Sequence, residues 1–333
     1  MKVLMLGWEF PPRIAGGLAV ACYGLVQGLA HHKVEVTFVM PLRTGEEPTD
    51  GYRLLGANEI EVPFTQTYTL PPILQQVSFY GVETFLGPYL EQLEKPVLQF
   101  TAVPEPVSYT AEGKLYLEFS GKYGADLINE VYRYAYVVSH LAERVDFDII
   151  HAHDWLTYPA GLWLKAKTGK PLVVHVHATE YDRSGENPHP HIRAIERAGM
   201  EDADRVIAVS FYTRALIAEK YGIPLEKIEA VHNAVLPKDR EPYQHPPSNR
   251  KVVTFLGRVT FQKGPEYFVE AAARLATHMP EVHFVMAGTG DLLRGLIHRV
   301  AQLRLGTRFS FTGFLPPAEV EKLFDMSDVY VMP

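Results

Sequence analysis

FLGRVTFQKG, residues Phe255 to Gly264, is the stretch that decides the fold. The apolar run VVTFL, Val252 to Leu256, predicts a buried strand, and Lys263 with Gly264 predicts the start of a helix. Arg258 and Lys263 are then two cations at the carboxyl end of a strand, beside the unpaired N–H groups of a helix N-terminus. A guanidinium fork and a mobile ammonium in this position favour a polyanionic ligand. Taken alone, the pattern is more typical of an exposed turn with solvated cations, and the rest of the chain reverses that preference.

The residues after this stretch repeat an alternation of apolar strands and helices. Apolar strands separated by helices imply a parallel sheet covered on both faces. Glycine-containing turns follow two of the strands, at Gly288–Asp291 and at Gly313-Phe314. The predicted strands are 252–256, 282–287, 309–312 and 329–332, and the predicted helices are 263–276, one that ends at 303, and 318–324.

The N-terminal residues predict a second region of the same kind. Lys2 to Leu6 reads as a short apolar strand, and a helix that ends near Ala30 is followed by another strand at 34–40. Gly16 and Gly17 lie at the turn between the first strand and the helix. Strand, turn, helix and strand make a βαβ unit. Its glycines allow a ligand to approach the backbone closely, and its helix start presents N–H groups to an anion.

Two further apolar strands end in alternating histidines. DIIHAHDW contains His151 and His153, and LVVHVHATEYD contains His175 and His177. Residues two apart on a strand share a face, so each pair is expected to point one way.

These histidines leave two interpretations open. HxH at a strand end, with Asp154 and Asp182 nearby, is similar to the metal site of an amidohydrolase. However, a barrel of that kind needs eight regular βα units, and GRVTFQKG would have no role in it. We therefore interpret His151 and His175 as hydrogen-bonded strand-end residues, and predict a substrate role for His153, which precedes Asp154-Trp155.

Composition indicates a globular protein with no general affinity for nucleic acid. The chain has 333 residues, 47% hydrophobic and 21% charged, with a net charge of −7. Cys22 is its single cysteine, which excludes an intrachain disulfide and predicts a cytoplasmic location. No apolar run is long enough to span a bilayer, and the oligomeric state stays open.

The predicted fold class is α/β, with two Rossmann-like domains. The first domain is predicted at 1–240, with an insertion at about 41–123, where prolines and aromatic residues interrupt any regular pattern. The proline-rich segment 241–250 is the predicted linker, and 251–333 is the predicted second domain. The carboxyl-end loops of two such domains are expected to line one ligand cleft.

Several of these segments together resemble one known family. They are the Gly-Gly turn, HAHDW, HATEYD, HNAV, GRVTFQKG, AGTGD and TGF. The set is similar to the retaining, nucleotide-sugar-dependent glycosyltransferases of GT-B fold in glycosyltransferase family 4, and within it to the glycogen (starch) synthase-like branch. The resemblance covers nearly the whole chain except the insertion.

The resemblance implies transfer of a sugar, glucose in this branch, from ADP- or UDP-glucose to a glycan or other hydroxyl acceptor, with retention. It implies no metal and no cofactor other than the nucleotide sugar itself as substrate. By position, Arg258 and Lys263 would bind the donor diphosphate and stabilise the leaving group, and His153 would contact the transferred sugar. The other implied binding residues are Gly16, Gly17, Asp154, Glu180, Gly257, Gly288, Gly290, Asp291, Gly313 and Phe314.

Three departures from the family pattern bear on the specific activity. Ile14 stands where glycogen synthases have lysine, and Leu156 stands where HDW continues with histidine. The family's acidic motif follows a strand such as DVYVMP, and this sequence stops at Pro333. We therefore expect a second domain that is incomplete, with an open apolar face.

Two alternatives to a sugar transferase follow from these departures. One is a nucleotide-sugar epimerase of the same fold, which would need acid–base groups at the sugar, with His153, Glu180 and Asp182 as candidates. The other is a non-catalytic protein that binds a nucleotide or a sugar.

Overall fold

Short runs of β-branched and aliphatic residues form the strands of two parallel sheets, as such residues favour. The computed structural model describes residues 1–12, 16–62, 107–109, 115–124, 126–234 and 250–333. Ile14, residues 63–106 and 110–114 of the predicted insertion, and residues 241–249 of the predicted linker lie outside the described residues. The chain folds as two compact units, one of Met1–Tyr181 and Glu186–Leu236, the other of Pro237–Pro333 and Asp182–Gly185.

The first unit is built on a seven-stranded parallel sheet. In chain order its strands are β1 (Lys2–Leu6), β2 (Glu35–Met40), β3 (Arg53–Gly56), then β6 (Ile149–His153), β7 (Leu172–Val176), β8 (Arg205–Ala208) and β9 (Ile228–Ala230), with β4 (Val107–Tyr109) and β5 (Leu115–Leu117) in a separate pair. The order across the sheet is β3-β2-β1-β6-β7-β8-β9. The order reverses between β1 and β6, and ligands of open α/β sheets bind outside the carboxyl ends of the strands at such a point.

Helices cover this sheet and bury its apolar side chains. In chain order they are α1 (Gly17–His31), α2 (Leu127–Ser139), α3 (Tyr158–Thr168), α5 (Pro190–Asp202) and α6 (Phe211–Tyr221). The short α4 (Glu180–Ser184) follows β7, and its residues 182–184 belong to the second unit. Helix α2 ends at Ser139, and a 3₁₀ turn at His140–Glu143 follows it. Trp8, Tyr134 and Tyr158 are among the largest fully buried side chains.

The segment predicted to be an insertion contributes to the main sheet. Strand β3 pairs in parallel with β2, Thr37 opposite Arg53, and forms one edge of the sheet. Its four residues are too few to show a clear period, so β3 was not predicted. Further along, β4 and β5 pair antiparallel, with Ser108 opposite Tyr116.

The second unit has a four-stranded parallel sheet in the order β12-β11-β10-β13. Its strands are β10 (Val252–Leu256), β11 (His283–Ala287), β12 (Phe309–Gly313) and β13 (Val329–Tyr330), and its helices after Gly264 are α7 (Pro265–His278), α8 (Leu293–Gln302) and α9 (Pro317–Met326). Phe268 packs between Phe255, Phe284 and Phe309, with ring centroids 5.8, 6.2 and 5.8 Å away. Four rings from three strands and one helix thus form its core.

Candidate active site

The loop after β10 positions Arg258 and Lys263, and its shape differs from the prediction. Lys263 does not open a helix. It ends a 3₁₀ turn at Phe261–Lys263, and α7 begins at Pro265. The intervening Gly264 has φ +63°, a left-handed conformation that no α-helical residue adopts, and proline is well suited to the first helical position.

The two cations of this loop differ in their surroundings. The exposed Arg258 donates an Nη2–H to Gln262 Oε1 at 3.2 Å. Lys263 is half-buried. Burial lowers its pKa and the positive charge of Arg258 lowers it further, while Asp182 partly offsets the effect. Within the described residues, the Lys263 ammonium has no ion pair and no side-chain hydrogen bond, so it is a cation partly removed from water without a bonded anion.

Three of the predicted site turns lie against one another at the carboxyl end of this sheet. Gly257 N donates to Ala287 O at 3.0 Å, Gly288 N to Gly313 O at 2.8 Å, and Val259 N to Thr289 O at 2.9 Å. These bonds fix the loops after β10, β11 and β12 in one backbone network.

Two glycines make this close packing sterically feasible. A Cβ at Gly288, whose φ is +133°, would lie 1.9 Å from the carbonyl oxygen of Gly257, and one at Gly290 would lie 2.2 Å from that of Val259. The glycines at 288 and 290 therefore serve the fold of the site loops, apart from any ligand. Asp291 and Phe314 are exposed beside them.

In the first unit, all four strand-end histidines come together on one face of the sheet. β6 and β7 pair in parallel with His153 opposite His175, so the alternating residues of both strands lie on the same side. Ring centroids are 4.3 Å apart for His151 and His153, 4.4 Å for His175 and His177, and 5.0 Å for His153 and His175. We call these four residues the histidine cluster.

One hydrogen bond links the two strands within the histidine cluster. His153 Nδ1 lies 2.9 Å from His177 Nε2. The sequence placed His177 on the same strand face as His175 but gave it no role, because the register between β6 and β7 was not available. His153 is fully buried, and its other nitrogen, Nε2, has no hydrogen-bond partner among the described residues.

The histidines of the cluster are held in the uncharged form. Burial lowers the pKa of each ring, to about 3 for His175 and about 4 for His177, and well below 6.5 for His151 and His153. Their mutual repulsion when protonated adds to the effect for the rings other than His177. At neutral pH the cluster can therefore donate and accept hydrogen bonds or bind a cation, but it does not supply positive charge.

Asp154 follows β6 and has a left-handed backbone conformation with φ +57°. Its Oδ1 accepts a hydrogen bond from the backbone N–H of His177 at 2.7 Å. Asp154 is buried and its backbone is strained, and its hydrogen bond connects β6 to the end of β7. It therefore positions the histidine cluster, in addition to any contact with a substrate.

The remaining predicted residues of the first unit have contrasting environments. Gly16 precedes the first turn of α1 and Gly17 begins it. A Cβ added at either position would have no described atom within 4 Å. Glu180 is buried, and its backbone N–H donates to Glu196 Oε2 at 3.0 Å while its Oε1 accepts from His189 N at 3.3 Å. The glycine pair is thus open to a ligand, whereas the Glu180 carboxylate is engaged within the fold.

Comparisons with known proteins agree with this architecture. The family model described as Glycosyltransferase Family 4 matches residues 118–238, and that described as Glycosyl transferases group 1 matches residues 237–333. All of the chain aligns with 74% of an uncharacterized glycosyltransferase, MJ1607, of Methanocaldococcus jannaschii at 26% identity. All of it also aligns with 72% of a glycogen synthase of Mycobacterium tuberculosis at 23% identity.

The structure of Anabaena Alr3699/HepE in complex with UDP-glucose superposes on the whole chain and on 73% of that protein, with a TM-score of 0.60 and 18% identity. The chain is a glycosyltransferase of GT-B fold. In this glycosyltransferase, no helix within the described residues is long and apolar enough to cross a membrane.

Proposed function

We propose that this glycosyltransferase transfers glucose from a nucleoside diphosphate glucose, such as ADP- or UDP-glucose, to a hydroxyl of a glycan or similar acceptor. It does so with retention, in the manner of a glycogen synthase, and without a metal ion or other cofactor. The observation that supports this most directly is the pair Arg258 and Lys263 on the loop after β10. Lys263 is half-buried beside a second cation, and an anionic ligand would stabilise both.

A departing nucleoside diphosphate fits these two residues chemically. Negative charge builds on its phosphate oxygens as the bond to the sugar breaks, and fixed cations that meet this charge lower the barrier. Arg258 offers paired N–H donors, and Lys263 offers an ammonium that loses little hydration on binding because it is already partly buried. The backbone network around Gly257, Gly288 and Gly313 would hold the loop in place for this contact.

Two features of the first unit are candidates for contact with a sugar. Gly16 and Gly17 leave open space at the start of α1, where unpaired N–H groups favour an anion or a sugar hydroxyl. His153 has a ring nitrogen without a described partner, and a neutral imidazole can bond a sugar hydroxyl in either direction. Retention needs no carboxylate pair if the acceptor attacks on the face that the leaving group vacates.

Calorimetric titration with ADP-, UDP- and GDP-glucose tests the proposal. Charge-assisted contacts to phosphate contribute about 1.5–3 kcal/mol each, so Lys263→Ala should weaken binding of the preferred donor about tenfold or more. Lys251→Ala is a matched control, because Lys251 lies on the same unit but pairs with Asp328 at 2.8 Å. Equal donor affinity in wild type and Lys263→Ala would contradict the assignment.

Turnover assays with the same donors separate the transferase from the epimerase interpretation. A transferase moves the glucosyl group to an added acceptor, whereas an epimerase returns a changed nucleotide sugar with no acceptor present. Donor binding that depends on Lys263 without either product would indicate a binding protein.

A further inference from the structure

We propose that the histidine cluster is a binding site for a first-row transition metal ion, with His151, His153 and His175 as its ligands. Zn²⁺ is the ion that three imidazoles suit best among those common in proteins, and Co²⁺ is its spectroscopic substitute. The site lies entirely in the first unit and is separate from Arg258 and Lys263.

The distances between ligand atoms support this proposal. One ring nitrogen from each of the three histidines lies within 4.8 Å of the other two. Two nitrogens bound to one zinc ion at about 2.0–2.1 Å are at most about 4.2 Å apart, so nitrogens at the 4.8 Å limit would have to move together by about 0.6 Å or more to bind one ion. The three side chains come from two adjacent strands of a rigid sheet, which fixes their spacing.

Unsatisfied polar atoms are the second observation. His151 Nε2, His153 Nε2 and both ring nitrogens of His175 are buried without a hydrogen-bond partner among the described residues. Each buried polar atom left unpaired costs about 1–3 kcal/mol. A metal ion that accepts a lone pair from one nitrogen of each ring would satisfy several of these atoms at once.

The bond between His153 and His177 orients one of the ligands. If His153 Nδ1 donates to His177 Nε2, the Nε2 of His153 carries the lone pair that a metal ion needs. A histidine that ligates a metal commonly donates its other ring N–H in this way. His177 is then an outer partner of the site and not a ligand.

An alternative ligand set exists but is chemically weaker. Cys22, His153 and His177 also have potential ligand atoms within 4.8 Å of one another. However, it would require His177 to give up its hydrogen bond with His153.

Metal binding would also affect the proposed transfer reaction. The ion and a sugar hydroxyl would compete for the same atom, His153 Nε2, so a bound ion should inhibit transfer. This consequence rests on the proposed function, but the binding test below does not.

The test is a titration of metal-free protein with Co²⁺, followed by visible absorption spectroscopy. We expect about one Co²⁺ per chain with d–d bands of a nitrogen-ligated ion, and displacement by Zn²⁺. His151→Gln and His175→Gln should each weaken binding at least tenfold. His283→Gln is the control, since His283 lies in the second unit and contacts Ser310. Lys263→Ala, which impairs the proposed donor site, should bind Co²⁺ like wild type.

X-ray absorption of the zinc-loaded wild-type protein gives a second measurement that does not depend on how the variants fold. Three imidazole nitrogens around the ion would support the site. Absence of stoichiometric binding by wild type, or a cysteine sulfur in the coordination shell, would overturn the proposal, as would unchanged affinity in both His151→Gln and His175→Gln.

Discussion

The side chains at the carboxyl ends of the two parallel sheets differ in their charge and in what holds them in place. In the first unit the strand ends hold neutral imidazoles that pack on one another and are buried by the fold. In the second unit the strand ends hold two cations on a loop that glycine backbones fix in place. The carboxyl ends of the two sheets are therefore organised in one case by side chains and in the other by backbone. Of these two described sites, only the second holds cations, which we propose bind a diphosphate.

The largest expected effect tests whether glycine backbones hold the loops of the second unit in place. Gly288→Ala adds a Cβ at 1.9 Å from a carbonyl oxygen and must adopt φ +133°, so it should lower the free energy of unfolding by roughly 2–4 kcal/mol. The measurement is urea denaturation of both proteins. Gly295→Ala is the control, because the Cβ that it adds inside α8 has no described atom within 4 Å. This substitution should be neutral or should stabilise the protein by up to about 1 kcal/mol. Similar losses for both variants would show that glycine packing does not hold the loops.

The sequence predicted the elements of the second unit well but not this interlocking. The turn at 288–291 was expected from its glycines, since glycine often marks a turn. The contact of Gly288 with Gly257 depends on how two loops after adjacent strands meet, and no local pattern in the sequence encodes that distance. Lys263 shows the same limit, because the left-handed Gly264 displaces the helix start by two residues.

The histidine cluster was partly predictable. A period of two places His151 with His153, and His175 with His177, on common faces. Bringing all four together requires the register between β6 and β7, which sets His153 opposite His175 and is determined by packing of the whole sheet. Strand β3 was missed for a different reason: its four residues are too short for any periodic signal.

A smaller effect tests whether the Asp154 side chain holds the strand ends of the first unit in place. Asp154→Ala removes the acceptor for the His177 N–H and leaves a residue poorly suited to φ +57°, so it should destabilise the protein by about 1–3 kcal/mol. Asp154→Asn is the matched control, because asparagine keeps an oxygen acceptor and tolerates this conformation. Thermal unfolding of the three proteins measures the effect, and equal stability of the two variants would rule out the positioning role of the carboxylate oxygen.

The glycines of the first unit should respond differently from Gly288. Gly17→Ala places a methyl group in open space at the start of α1, so folding should be unchanged or slightly more stable. If the donor or sugar approaches this backbone, the same methyl group should reduce kcat/KM for transfer about tenfold, or about 1.4 kcal/mol. Gly28→Ala, also within α1 and without a neighbour at its Cβ, is the control for helix propensity. Full activity in Gly17→Ala would remove this glycine from the site.

The smallest expected effect is none: a chelator should not slow transfer. In the proposed function, Arg258 and Lys263 would supply the positive charge that a divalent ion provides to a diphosphate in other enzymes, so a metal ion would not be needed for that purpose. The initial rate of transfer would be compared in excess EDTA and after addition of one equivalent of Zn²⁺. We expect no loss with EDTA, and inhibition with Zn²⁺ if His153 Nε2 is occupied. His151→Gln should resist that inhibition, because it lacks one of the proposed ligands.

A rate that instead falls in proportion to zinc removed, and falls again in His151→Gln and in His153→Gln, would mean that the histidine cluster holds a catalytic metal. The catalytic positive charge would then lie in the histidine cluster and not on the loop after β10. This result would favour the hydrolase interpretation of the histidines.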